Sequence, residues 1–116
     1  MNLLLVDDNI DLRSTFKEVF LSLGYSVVEA SDGTEAIDIL NKFDFDLIIT
    51  DVQMPNMNGF DLLVAIKKLK IQTPVVVISG GSKYSREDIL NAGASEYFEK
   101  CSFNPFNISV FSQKSA

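Results

Sequence analysis

Apolar residues follow two rhythms that alternate from the start of this chain to about residue 100. Short unbroken runs, Leu3-Leu4-Leu5-Val6, Leu47-Ile48-Ile49 and Val75-Val76-Val77-Ile78, are separated by longer stretches in which apolar residues recur every three or four positions. An unbroken run flanked by turn residues marks a strand buried on both faces, as in a parallel sheet, while the wider spacing marks a helix with one buried side. The pattern predicts a strand at about 2–6 and a helix at roughly 10–23 that turns Leu12, Phe16, Val19, Phe20 and Leu23 inward. A strand near 25–30, a Ser31-Asp32-Gly33 turn and a helix of about 34–43 burying Ala36, Ile37 and Leu40 come next. The third strand ends at Thr50-Asp51, and the turn-rich Met54-Pro55-Asn56-Met57-Asn58-Gly59 leads into a helix of about 59–69 carrying Leu62, Leu63, Ile66 and Leu69. Thr73-Pro74 opens the fourth strand, since the residue before proline avoids helical geometry. A helix of about 84–92 and a fifth strand of roughly 94–99 follow.

Five strand–helix units with short connections imply an α/β fold, a doubly wound parallel sheet with right-handed crossovers. The tail at 101–116 is less regular. Asn104-Pro105 reads as a cap and first helical position, with Phe106, Val110 and Phe111 on one face of a short last helix and 112–116 fraying. At 116 residues, 47% of them apolar, the chain is expected to be one soluble domain with a real core. The longest apolar run, Leu62 to Ile66, is far too short to cross a bilayer. The absence of a charged-then-apolar leader, together with the lone Cys101, fits a reducing cytoplasm. A net charge of −6 argues against direct nucleic-acid binding. No histidine is present, which excludes His-ligated metals, Ser-His hydrolysis and phosphohistidine chemistry by this chain alone.

Distinctive groups stand where strands end: Asp7-Asp8, Asp51, Ser79 and Lys100. In a parallel sheet these carboxyl ends share one edge, where open α/β folds bind ligands. Adjacent carboxylates repel, so keeping both ionised in a crevice calls for a cation or strong hydrogen bonds. Capping by Asp8 or Asn9 accounts for one acid of the pair but not for both. A lone Asp after a strand is commonly a turn residue, Ser79-Gly80-Gly81 alone reads as turn chemistry, and a single lysine is usually a solvated charge. Their joint occurrence changes the reading. Three acids suit a hard oxygen-ligated cation such as magnesium, Lys100 balances negative charge, and the Ser79 hydroxyl with the Gly80 N–H can meet a phosphoryl oxygen.

The order Val6-Asp7-Asp8, then Asp51-Val52-Gln53-Met54-Pro55-Asn56-Met57-Asn58-Gly59, then Ile78-Ser79-Gly80, Ala92-Gly93-Ala94 and Tyr97-Phe98-Glu99-Lys100 resembles the receiver domain of two-component response regulators, from residue 2 to about 100. The resemblance implies a flavodoxin-like sheet in the order 2-1-3-4-5. It implies Asp51 as phosphoacceptor, and Mg²⁺ held by Asp8, Asp51 and the backbone carbonyl of Gln53, with Asp7 acting through bound water. Ser79, Gly80 and Lys100 would contact the phosphoryl group, and Tyr97 would be the aromatic switch that follows Ser79. Partners would be a sensor histidine kinase or histidine phosphotransfer protein and a downstream effector, with self-phosphorylation and dephosphorylation the only catalysis. The family usually has proline after the lysine, commonly with a cis bond, but Cys101 stands here. A cis bond before a non-proline residue costs roughly 2.5–4 kcal/mol, which favours a trans junction and a rearranged tail.

Other readings differ in class. A small phosphohydrolase with an Asp nucleophile would have Asp two residues further on, where this chain has Gln53 after Asp51 or Asn9 after Asp7. A degenerate receiver would bind partners without phosphorylation, against which the intact acids and lysine stand. A flavin-binding flavodoxin would need backbone donors where Asp7-Asp8 lie.

Overall fold

Each unbroken apolar run becomes a strand with almost every side chain out of water. In the computed structural model, which describes residues 1–111, the elements are β1 Asn2–Val6, α1 Ile10–Ser22, β2 Ser26–Ala30, α2 Gly33–Leu40, β3 Leu47–Asp51, α3 Gly59–Lys68, β4 Val75–Ser79, α4 Arg86–Asn91 and β5 Glu96–Glu99. The five strands are all parallel, in the order β2-β1-β3-β4-β5. This is the flavodoxin-like sheet that the sequence implies.

The central strands β1, β3 and β4 lack polar alternation because the sheet is covered on both faces there, whereas edge strand β2 alternates. On one face Leu4, Val6, Ile48, Val75 and Val77 pack with Ala36 of α2, Leu62 and Leu63 of α3 and Ile89 of α4. On the other, Leu3, Leu5, Ile49, Val76 and Ile78 pack with Phe16 and Phe20 of α1 and with Phe103 and Ile108 from the tail. Successive side chains point to opposite faces, so every position in a central strand is a core position. Phe20 is wholly buried, which contributes about 1.5–3 kcal/mol.

The helices start at side-chain caps. Asn9, Asp32 and Asn58 accept the N–H groups of Leu12, Glu35 and Asp61 respectively, each worth about 0.5–2 kcal/mol. Ser85 and Asp88 form a reciprocal capping box, so α4 begins after Ser85 rather than at 84. Tyr84 is thereby left outside the helix and stacks on Phe60, with ring centroids 4.4 Å apart.

Several boundaries and faces differ from expectation. Helix α2 stops at Leu40 instead of about 43, and the chain turns so that Phe45 is buried while Phe43 is exposed. Strand β5 begins at Glu96 rather than 94, because Ala94 and Ser95 cross from α4 to the sheet. Leu23 and Leu69 are exposed: both are the residues that close α1 and α3, where the inward stripe has already run out. The tail is the largest correction. Instead of one helix burying Phe106, Val110 and Phe111, the chain makes short separate 3-10 turns at Lys100–Ser102 and Pro105–Asn107, with 3-10 geometry again at 109–111. Phe103 and Ile108 are buried, Phe106 and Val110 are exposed, and Phe111 packs only partly against the core. Phe103 meets Phe16 edge-on at 5.5 Å and Phe98 at 5.7 Å. These contacts take up the apolar surface that an amphipathic helix would otherwise cover. No cis peptide bond occurs among the described residues, so the Lys100–Cys101 junction is trans. The expected fraying at 112–116 lies outside the described residues.

Candidate functional site

Strand register assembles the site. Val6 pairs with Thr50, Asp51 with Ile78, and Ser79 with Glu99. One step beyond each pair, the chain delivers Asp7 beside Asp51 and Lys100 beside the end of β4. Carboxylate oxygens of Asp7, Asp8 and Asp51 all lie within 4.8 Å of one another. Asp7 and Asp51 are buried, whereas Asp8 is exposed at the mouth.

The hydrogen bonds leave part of this charge unanswered. Asp7 Oδ1 accepts the Asn9 N–H at 2.9 Å and Asp51 Oδ1 accepts the Val52 N–H at 2.7 Å. Lys100 Nζ donates to Asp51 Oδ2 at 3.1 Å and lies 3.9 Å from Asp7 Oδ2. Asp7 Oδ2 is buried with no hydrogen-bond partner. Burial pushes the Asp7 carboxyl above its ordinary value, and the charges of Asp51 and Asp8 add to the shift; the Asn9 N–H and Lys100 oppose it. Burial alone would lower Lys100, but its hydrogen bond to Asp51 and the charges of Asp51, Asp7 and Asp8 outweigh that and hold the ammonium above its ordinary value. A buried, unpartnered carboxylate oxygen beside two more carboxylates is a donor set that fits a hard divalent cation.

Ser79 is fully buried, and its Oγ accepts the Gly81 N–H at 3.0 Å, leaving the hydroxyl hydrogen available to donate. Ser79 shares a crevice with Tyr97, Gly80 and Lys100. The neighbouring cleft holds Asp8, Asp51, Gln53, Gly80 and Lys100. Gly80 and Lys100 join the two, so the acids and the hydroxyl open onto adjoining hollows rather than a single one. Gln53 is exposed at the rim, and Tyr97 is half-buried against the core.

Two supports escape sequence reading. A Cβ on Gly59 would stand 2.2 Å from the Asp51 carbonyl oxygen and 2.9 Å from Val52 Cα, while the Gly59 N–H donates to the Val52 carbonyl at 2.8 Å. Helix α3 therefore begins directly against the backbone of Asp51, and only glycine permits that approach. Its position at the end of the Met54–Gly59 loop was the available signal. Arg13 is the second support: its Nη1 donates to the Asp7 carbonyl at 2.6 Å and its Nε to Glu29 at 3.0 Å. An arginine on the polar side of α1 carries no such signal.

The family model for the response regulator receiver domain matches residues 3–108. The transcriptional regulatory protein CpxR of Escherichia coli (strain K12) is 41% identical over 106 residues, which are 90% of this chain and 43% of CpxR. This chain thus spans less than half the length of that relative. Among solved structures, the receiver domain of the Francisella response regulator 1452 is 28% identical with a TM-score of 0.87, covering 98% of this chain and 94% of that one. A response regulator protein from Burkholderia pseudomallei, with a phosphorylated aspartic acid, calcium ion and citrate, is 25% identical with a TM-score of 0.84, covering 97% and 66%. Strand order, the acids and lysine gathered at one sheet edge and these likenesses agree, and the chain belongs to the response regulator receiver domains, the signalling modules of two-component systems.

Proposed function

We propose that Asp51 accepts a phosphoryl group from the phosphohistidine of a sensor histidine kinase or histidine phosphotransfer protein, and that the modified domain presents an altered surface to a downstream effector. One carboxylate oxygen of Asp51 attacks phosphorus in line. The new P–O bond forms as the P–N bond breaks, and the imidazole nitrogen leaves with the electron pair. Lys100, already bonded to Asp51, balances the charge that develops. The Ser79 hydroxyl and the Gly80 N–H donate to phosphoryl oxygens, and Tyr97 follows Ser79 as the switch. Asp8, Asp51 and the backbone carbonyl of Gln53 would hold Mg²⁺, with Asp7 at one remove. When bound, the ion supplies positive charge against the phosphoryl oxygens. The module acts in the cytoplasm as a single domain spanning 1–116, with no catalysis beyond its own phosphorylation and dephosphorylation and no direct contact with nucleic acid. No helix among the described residues is long and apolar enough to cross a membrane.

The observation that carries this reading is the buried Asp7 Oδ2, which accepts no hydrogen bond, within a three-carboxylate cluster that Lys100 joins by its hydrogen bond to Asp51 and its ion pair to Asp7 at 3.9 Å. The phosphorylated aspartate and calcium of the Burkholderia relative support it. Intact mass after incubation with acetyl phosphate and Mg²⁺ tests it. The wild-type chain gains one phosphoryl group and Asp51→Asn gains none; equal labelling of the two removes the assignment.

A further inference from the structure

The surface between α3 and α4 opens into an apolar groove with a volume of 840 Å³, lined by none of Asp7, Asp8 and Asp51. Its floor is the Phe60–Tyr84 stack with Val64 of α3 and Ala92 at the end of α4. Lys67 also lines a second hollow of 610 Å³ that continues past Ile71 and Pro74. The two hollows adjoin at Lys67. Half-buried aromatic rings in an open groove are unsatisfied apolar surface of the kind that marks a protein-binding face.

Charge decides what fits there. The chain carries a net charge of −6, yet the rim of this groove is basic. Lys67 and Lys68 stand on it, and Lys83 Nζ lies 5.3 Å from the centre of the Tyr84 ring. Elsewhere Arg13 and Lys17 are paired with Glu29, Arg86 with Glu96, and Lys100 with Asp51. Lys67 and Lys68 form no ion pair among the described residues. The one carboxylate lining the groove, Asp88, is engaged by the Ser85 N–H in the cap of α4.

We propose that the α3–α4 groove docks a short acidic amphipathic helix of a partner protein. Its large apolar side chains would sit on the Phe60–Tyr84 floor and its carboxylates against Lys67 and Lys68. Such a segment offers anchors at i, i+3, i+4 and i+7 to a groove between helices. Lys67 and Lys68 stand side by side on this rim, whereas Lys42 is a single exposed cation in the turn after α2, so the paired charge favours an acidic segment here and helps to set its register. A second copy of this chain is disfavoured as occupant, since two bodies each carrying −6 repel.

The groove is also joined to the phosphoacceptor side. Gly81 N–H donates to Ser79 Oγ, Tyr84 N–H donates to Ser82 Oγ at 3.2 Å, and Ser82, Lys83 and Tyr84 line a hollow shared with Asp8 and Gln53. Drawing Ser79 toward a phosphoryl group would loosen its bond to Gly81 and shift the segment that carries Tyr84. This coupling rests on the proposed phosphorylation of Asp51, whereas docking does not.

The test is a fluorescence-anisotropy titration of the whole chain with a sixteen-residue Glu-rich amphipathic peptide bearing Leu and Phe at helical spacing, against a Lys-rich counterpart, with amide shifts to locate binding. The acidic peptide should bind with shifts at Phe60, Val64, Tyr84 and Ala92. Lys67→Glu with Lys68→Glu, both exposed and outside the core, should weaken it about tenfold, and the Lys-rich peptide should not bind. Equal binding of both peptides, indifference to the double substitution, shifts elsewhere, or self-association of the chain that fills the groove would each overturn the proposal. Repeating the titration on Asp51→Asn separates the two claims. Loss of phosphoryl dependence with docking retained is expected if both hold, and docking lost only in the lysine variant leaves the phosphoacceptor reading untouched.

Discussion

Replacing Gly59 with alanine strikes the point where α3 meets the phosphoacceptor strand. The added Cβ would stand 2.2 Å from the Asp51 carbonyl oxygen and 3.0 Å from its carbonyl carbon. The first distance is roughly 1.3 Å inside a comfortable carbon contact of about 3.5 Å. Neither neighbour is a side chain that can swing aside, because Asp51 is held in the sheet against Ile78. Helix α3 must therefore retreat, at about 1–3 kcal/mol for the overpacking. Its retreat also stretches the bond from Gly59 N–H to the Val52 carbonyl at 2.8 Å, which leaves buried partners unsatisfied at about 1–3 kcal/mol. Alanine recovers up to about 1 kcal/mol as the better helix former. The net loss should be about 3 kcal/mol, a fall in Tm on the order of 10–15 °C for a domain of this size. Urea unfolding followed by circular dichroism measures it. Gly80→Ala is the control, since its Cβ would meet only Lys100 Cδ at 3.6 Å, an ordinary contact that should cost under about 0.5 kcal/mol. A Gly59→Ala midpoint within that same margin of wild type would show that the close approach is not the constraint described.

Asp7→Asn keeps an oxygen for the Asn9 N–H and removes a buried charge, so without metal it should raise Tm at neutral pH. The folded-state value of Asp7 is raised by burial and then by Asp51 and Asp8. The advantage should therefore be full above that raised value and vanish as pH falls to the ordinary 3.8; an advantage independent of pH would contradict it. Glu29 is held below its ordinary value chiefly by its hydrogen bond to Lys17 and then by Arg13. Its contribution is present at neutral pH and lost on acidification, and Glu29→Gln should cost about 1 kcal/mol by urea unfolding at pH 7 and little at pH 3. Phe103→Ala should cost about 3 kcal/mol and Phe106→Ala under about 0.5. The reverse order in chemical denaturation would restore an amphipathic tail helix. Adding Mg²⁺ should raise the wild-type Tm by binding the native state, and Asp8→Ala should remove most of that gain.

Much of this protein is legible in its sequence because the decisive interactions are local or periodic. Unbroken runs such as Val75–Ile78 can only be buried on both faces, which dictates a covered parallel sheet and sends Asp7, Asp51, Ser79 and Lys100 to one edge. Asn9, Asp32 and Asn58 cap the next turn of chain within three residues, so their helix starts follow from type and spacing. The Ser85–Asp88 box is equally local, and it starts α4 after Ser85 and leaves Tyr84 outside the helix. Tertiary structure alone decided the rest. Phe103 and Ile108, rather than Phe106 and Val110, face the core because Phe16 of α1 leaves room for them on the same face of the sheet, a contact between segments far apart in sequence. The need for glycine at position 59 arises from the backbone of Asp51, eight positions earlier, and the Arg13 hold on the Asp7 carbonyl depends on how α1 lies over β1 and β2. The groove of Phe60, Tyr84 and Lys67 exists only once α3 and α4 stand side by side. Periodicity specifies which face of an element is apolar; only packing determines which neighbour covers it and which part stays open.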